Sequence, residues 1–234
     1  MVVPELTFHP TSFWSAYEMG QYLTPSETRQ KYIEHMGEPL GKLFYKLWSE
    51  LGLLCVKWNE YLELFGERSK VDLLNQAAPA FFRMVQDIFW YDILMHIARL
   101  TDPPRSREKP NLTIRCLPEL ITEPDLADSV KEAIKEAEEK AKFCRDWRNR
   151  RIAHRDLHLA LSESAQPLEI ATRDKVQDVL SALSLVLNRV EERYVGTTTN
   201  FSWSIPALGG AHKLLNVLRY GIEAQQQRWP RASE

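Results

Sequence analysis

The chain has 234 residues, a formal net charge of −2, 44% hydrophobic and 26% charged residues. That is the balance of an ordinary soluble globular protein, large enough to bury a core without staples. No run of about 18 apolar residues is present, so no membrane span is expected. The three cysteines, Cys55, Cys116 and Cys144, are scattered without metal-type spacing, and their odd number argues against a disulfide framework.

The opening "MVVPELTFHP" lacks the basic start and apolar run of a secretory signal, which makes the cytoplasm the expected compartment. Residues 1–24 read as an N-terminal arm. "TPSE" follows, with Thr24 as N-cap, Pro25 at the first helical position and Glu27 three residues after the cap, a capping box that predicts a helix. Residues 39–65 carry Leu43, Leu47, Leu51, Leu54, Trp58, Tyr61, Leu62 and Phe65 at helical spacing, and Gly66 supplies a stop. Residues 70–101 predict another helical stretch, kinked or split at Pro79 because proline removes an N–H. "TDPPRSREKPN" is a long loop.

A second capping box, Thr122 with Pro124 and Asp125, opens a stretch rich in Ala, Glu, Lys and Arg that continues without Gly or Pro to Pro167. One long helix is predicted there. Residues 173–194 form an amphipathic helix between Thr172 and Gly196. Residues 207–227 supply a last helix, started or interrupted at Gly209 and Gly210. The fold class is all-α: a bundle of six to seven helices, with the helical domain over residues 25–195 and a loop plus C-terminal helix, residues 196–234, packing on it.

The chemistry concentrates in "RDWRNRRIAHRD", residues 145–156. Arg145, Arg148, Arg150, Arg151 and Arg155 face only Asp146 and Asp156, a local excess able to pair with phosphate oxygens in planar forks. The bland alternative is a basic helix end that complements the helix dipole and pairs with neighbouring acids. His154 sits among the arginines, and an imidazole titrates near neutral pH while guanidinium groups stabilise an anionic transition state.

"RNRRIAHRD", together with "LGKLFYKLWSELGLLCVKWNEYLELFG" and "AAPAFFRMVQDIFWYDILMHIARLTDP", resembles the HEPN domains of the abortive-infection and toxin-associated group, over roughly residues 25–195. The motif of that superfamily, Arg, a polar residue, a spacer and His, falls on Arg148, Asn149 and His154. The resemblance implies an all-α module that cleaves RNA without a metal at a composite site made by two protomers, although many HEPN domains bind nucleotides or partners without cutting. The expected partners are therefore RNA, a second copy of the chain in a homodimer, and an antitoxin protein. A HEPN subset carries a tyrosine two residues after the motif histidine, which a nucleotidyltransferase partner modifies. Asp156 stands there instead, which argues against that kind of antitoxin.

Helix geometry resists a simple site. Six steps of about 100° leave Arg148 and His154 about 120° apart on an ideal helix, so a helix end, a local distortion, long arginine reach or a second protomer is required. Asp92, His96, Arg99 and Asp102 form a polar stripe at helical spacing, read either as flanking the cluster and orienting His154 or as a structural ion-pair network. His158 lies four residues after His154, but no glutamate of the zinc-protease motif and no third ligand accompany the pair, so no metal is expected. Trp48, Trp58, Trp90 and Trp147 sit in apolar stripes and are expected in the core. No P-loop, dinucleotide fingerprint or Ser/Cys nucleophile motif is present, and no cofactor is expected.

Overall fold

The structure, a computed structural model, describes residues 23–106, 108–154, 156–161, 166–202 and 209–228. The 1–24 arm therefore lies almost wholly outside the described residues. Those residues hold nine α-helices and one two-stranded hairpin of two residues a strand. Seven of the helices have ten residues or more, in line with the expected number.

Helix α1 (Pro25–Met36) begins as the capping box predicts: Thr24 Oγ1 accepts from Glu27 N at 3.2 Å and Glu27 Oε2 accepts from Thr24 N at 2.6 Å. Gly37 ends it at φ 78°, a conformation that L side chains avoid, and the chain folds straight back into α2 (Glu38–Phe65). The two helices then approach closely at Gly41, where an added Cβ would stand 2.5 Å from the Tyr32 carbonyl oxygen. Helix α2 is the hub, burying Leu40, Phe44, Leu47, Leu51, Leu54 and Trp58 and touching α1, α4 and three other helices.

Pro79 splits the next stretch into α3 (Arg68–Ala77) and α4 (Pro79–Leu100). Proline has no N–H to continue the ladder, but at the first helical position that donor is unpaired anyway. After the hairpin of Arg105–Ser106 and Lys109–Pro110, α5 (Pro124–Lys140) lays Val130, Ala133, Ile134 and Ala137 against α8 (Arg173–Val195). Thr172 caps α8 and left-handed Gly196 ends it, as predicted. Helix α9 (Ala211–Arg228) packs on α3 and α2. Among the described residues no helix is long and apolar enough to cross a membrane.

Two expectations are corrected. Thr122 does not cap α5: the N-cap is Glu123, which makes no side-chain cap hydrogen bond, and the Thr122 hydroxyl donates to the Glu123 carboxylate at 3.0 Å. The single long helix also does not form. It breaks at Ala141 (φ −85°, ψ 1°), resumes as α6 (Lys142–Trp147), and passes into a π-helical turn, Arg148–Ile152, before the short α7 (Leu157–Ala160). Local propensity is uniformly high across the break, so the reason is tertiary. Ala141, Phe143 and Cys144 are all buried, and the chain must turn to bring them into the core, a gain that outweighs about one helical hydrogen bond.

A buried polar knot ties α1, α2 and α8 to the segment after α8. Glu191, 4% exposed, accepts from Tyr32 Oη at 2.8 Å and from Thr199 Oγ1 at 2.8 Å, while Trp48 Nε1 donates to Thr199 Oγ1 at 2.9 Å. Burial, reinforced by the Glu191 charge, pushes the Tyr32 phenol well above its ordinary range, so it remains a donor.

Candidate functional site

The motif lies where the helix changes its winding. In the π-helical turn the Ala153 N–H donates to the Arg148 carbonyl at 2.8 Å, five residues back rather than four. The ideal-helix angle of about 120° between Arg148 and His154 therefore does not apply. His154 follows in a bend beyond the helix end, exposed to solvent. Helix end and local distortion are both present at this point.

Arg148 is held from two sides. Its Nη1 pairs with Asp102 Oδ1, and its Nε donates to Asn149 Oδ1 at 3.0 Å. Asp102 sits just past the C-terminus of α4, its own N–H donating to the Arg99 carbonyl at 3.3 Å. Arg151 reaches the other way along α4 and donates from Nε to Tyr91 Oη at 3.3 Å. The side chains of Arg148 and Asp102 are 23% and 16% exposed, so the pair is stronger than an exposed surface bridge.

The remaining arginines do not join them in one patch. Arg145 turns inward, its Nη2 donating to the Glu138 carbonyl at 2.7 Å and its Nη1 lying 3.4 Å from both oxygens of Thr101. Arg150 is a clamp: Nη1 meets Asp146 at 3.4 Å, Nε meets Asp156 at 3.6 Å, and Nη2 donates to the Gln166 carbonyl. It ties the segment before His154 to the segments after it. Arg155 lies outside the described residues. The cluster thus divides: Arg148 and Arg151 pair with Asp102 and Tyr91, whereas Arg145 meets Glu138 and Thr101 and Arg150 meets Asp146, Asp156 and Gln166.

The polar stripe on α4 divides as well. Asp92 pairs with Lys57 of α2 at 2.7 Å, and His96 Nε2 lies 2.8 Å from Glu50 Oε2, also on α2. Arg99 is exposed. Asp102 is the member that meets the motif, through Arg148 rather than His154. Of the tryptophans, Trp58 is buried, whereas Trp147 is half-buried and donates from Nε1 to the Glu169 carbonyl at 2.7 Å. His158 is exposed on α7, and among the described residues no three His, Cys, Asp or Glu side chains are grouped to hold a metal ion. Tyr91, which the sequence did not single out, holds Arg151, and Asp146, one of the two acids of the cluster, holds Arg150. The i,i+4 spacing of Asp146 and Arg150 was a visible signal, whereas nothing local marks Tyr91 as a partner of Arg151.

The chain is thus an all-helical bundle with Arg148, Asn149 and His154 strung along a distorted helix end. The family model AbiU2, of the HEPN group associated with abortive infection, matches residues 37–207, and the chain belongs to that family. No curated protein and no solved structure matches.

Proposed function

We propose that this HEPN domain is a metal-independent endoribonuclease acting in the cytoplasm as a toxin or phage-defence effector. The observation that carries the reading is the π-helical turn with its anchored Arg148 and exposed His154. Single-turn π-distortions of this kind occur frequently at functional sites. The RNA supplies the nucleophile. Its 2′-hydroxyl attacks the adjacent phosphorus, His154 moves a proton, and the bond to the 5′-oxygen breaks to leave a cyclic phosphate and a 5′-hydroxyl. Arg148 neutralises the developing phosphorane charge and Asn149, hydrogen-bonded to it, sets its direction. Arg151 is the best-placed further phosphate contact.

A homodimer is part of this reading. Phe81, Met84 and Ile88 of α4 are 55%, 58% and 66% exposed, and their spacing continues to Tyr91, the residue against Arg151. An apolar stripe of this kind beside basic side chains favours a second copy, which would bring two Arg148–His154 sets together. Light scattering at micromolar concentration is expected to give a dimer, and Ile88→Glu a monomer with little cleavage; a wild-type monomer that cuts RNA would defeat the composite site.

The decisive assay is cleavage of mixed RNA in EDTA by the wild-type chain and by His154→Ala. Activity is expected in the first alone, and equal activity in both sinks the assignment. A second reading, a noncatalytic module binding RNA, a nucleotide or an antitoxin protein, is favoured by the Arg148–Asp102 pair, which already occupies part of the guanidinium fork. It predicts salt-dependent RNA affinity that survives His154→Ala and falls with Arg148→Ala.

A further inference from the structure

A cavity of about 260 Å³ opens at the C-terminal end of α4, with Leu100 and Leu112 as apolar walls and Glu50, His96, Arg99 and Asp102 as polar groups. It shares Asp102 with the Arg148 ion pair, so it adjoins the motif. Its size lies below the range of about 300–1,000 Å³ for drug-sized ligands, which suits a single ring system.

The polar groups are incompletely used. His96 is 1% exposed, and neither ring nitrogen has a hydrogen-bond partner. The Glu50 carboxylate stands 2.8 Å from Nε2 but out of line for a hydrogen bond. Burial, with Lys57 and Arg99 nearby, pulls His96 down to about 4, so the imidazole is neutral at physiological pH and keeps one N–H to give. A small swing of the half-exposed Glu50 side chain into the ring plane satisfies that donor. The same carboxylate retains lone pairs for a ligand. The guanidinium of Arg99 is in no ion pair among the described residues and lies at the rim.

We propose that this cavity receives a guanine base of single-stranded RNA, read by Glu50 and Arg99, with His96 as the residue that positions the Glu50 carboxylate. Guanine alone among the four bases presents two adjacent donors, N1–H and the N2 amino group, which match the two oxygens of a carboxylate. Adenine and cytosine place a ring acceptor beside their amino group and meet the carboxylate with repulsion. Uracil flanks its single N–H with two carbonyl oxygens. On the other edge, guanine O6 and N7 accept the two-pronged donation that arginine makes. The inference rests on the ribonuclease reading in one respect: it needs an RNA phosphate beside Arg148.

The test uses the full chain and fluorescence anisotropy with uncleavable 2′-O-methyl heptamers: all-uridine, and the same sequence with one central guanosine, adenosine or cytidine. The guanosine oligomer is expected to bind about tenfold tighter or better, the discrimination of one good bidentate contact. Glu50→Gln should return its affinity to that of the all-uridine oligomer while leaving the latter unchanged, and Arg99→Ala should reduce the preference in part. Both positions are at least partly exposed, and unchanged circular dichroism checks folding. Equal affinity for all four oligomers, preference for another base, guanosine preference that survives Glu50→Gln, or no binding at all overturns the proposal. Guanosine-selective binding without cleavage keeps the pocket and removes the nuclease, whereas cleavage without base preference removes the pocket alone.

Discussion

Two carboxylates show how differently this chain treats its ends. Glu191 is buried between α1, α8 and the following loop, and takes hydrogen bonds from Tyr32 and Thr199. Asp102 is half-buried at the tip of α4 and pairs with Arg148, while Asn149 and His154 of the same segment face solvent. The first is a closed network that fastens three elements. The second leaves donors and an imidazole available to something outside the protein. A satisfied knot specifies the fold, and an unfinished one beside a helix distortion is what the proposed function draws on.

The comparison breaks most visibly at His154. Alanine there should lower RNA cleavage by about a hundred- to ten-thousandfold, the usual worth of a positioned general acid or base. Stability should be unchanged within about 0.5 kcal/mol, as for other exposed surface positions. Rate measurement under EDTA and a urea melt together check both halves. The opposite pattern is expected at Glu191: Glu191→Ala orphans the Tyr32 hydroxyl and part of the Thr199 contact and should destabilise by about 2–4 kcal/mol. Since none of its hydrogen-bond partners belongs to the motif, cleavage per folded molecule should hold.

Arg150 sharpens the contrast within the basic cluster. Arg150→Ala should cost roughly 1–2 kcal/mol through its lost hydrogen bonds. Hydrogen exchange should speed up at the described residues on either side of the His154 bend, and turnover should fall with little change in RNA affinity. Arg151→Ala should do the reverse, weakening RNA binding and lowering the salt slope by about one while leaving turnover at saturation nearly intact.

The last effect concerns acid. His96 is depressed from 6.5 to about 4 in the folded chain, so between those values the unfolded state binds more protons and stability falls as pH falls. Above about pH 6.5 both states hold the neutral imidazole and the contribution is flat. The unfolding free energy from urea melts should therefore fall more between pH 7 and pH 5 for the wild type than for His96→Gln, by up to about 1.4 kcal/mol per pH unit. Parallel pH curves for the two would show that His96 does not titrate as its burial requires.

Sequence alone determined the helices whose ends carry local chemistry. The Thr24 and Thr172 caps, the Pro79 split and the Gly196 stop are each decided within a few residues, and the apolar spacing of α2 and α8 needs no partner to be read. The family was legible through the likeness to HEPN domains, and the assignment of its motif to Arg148, Asn149 and His154 rests on that likeness. Tertiary structure decided what propensity leaves degenerate. Residues 124–152 are good helix formers throughout, and the break at Ala141 and the π-helical turn come from packing, because Phe143 and Cys144 must reach the core. Which arginine serves which end was likewise a matter of contacts distant in sequence, Arg148 with Asp102, Arg151 with Tyr91, and Arg150 with the Gln166 carbonyl. A guanidinium group looks the same in every sequence context, and only the acceptors that folding brings within reach decide whether it ties distant segments together or pairs with a neighbouring helix.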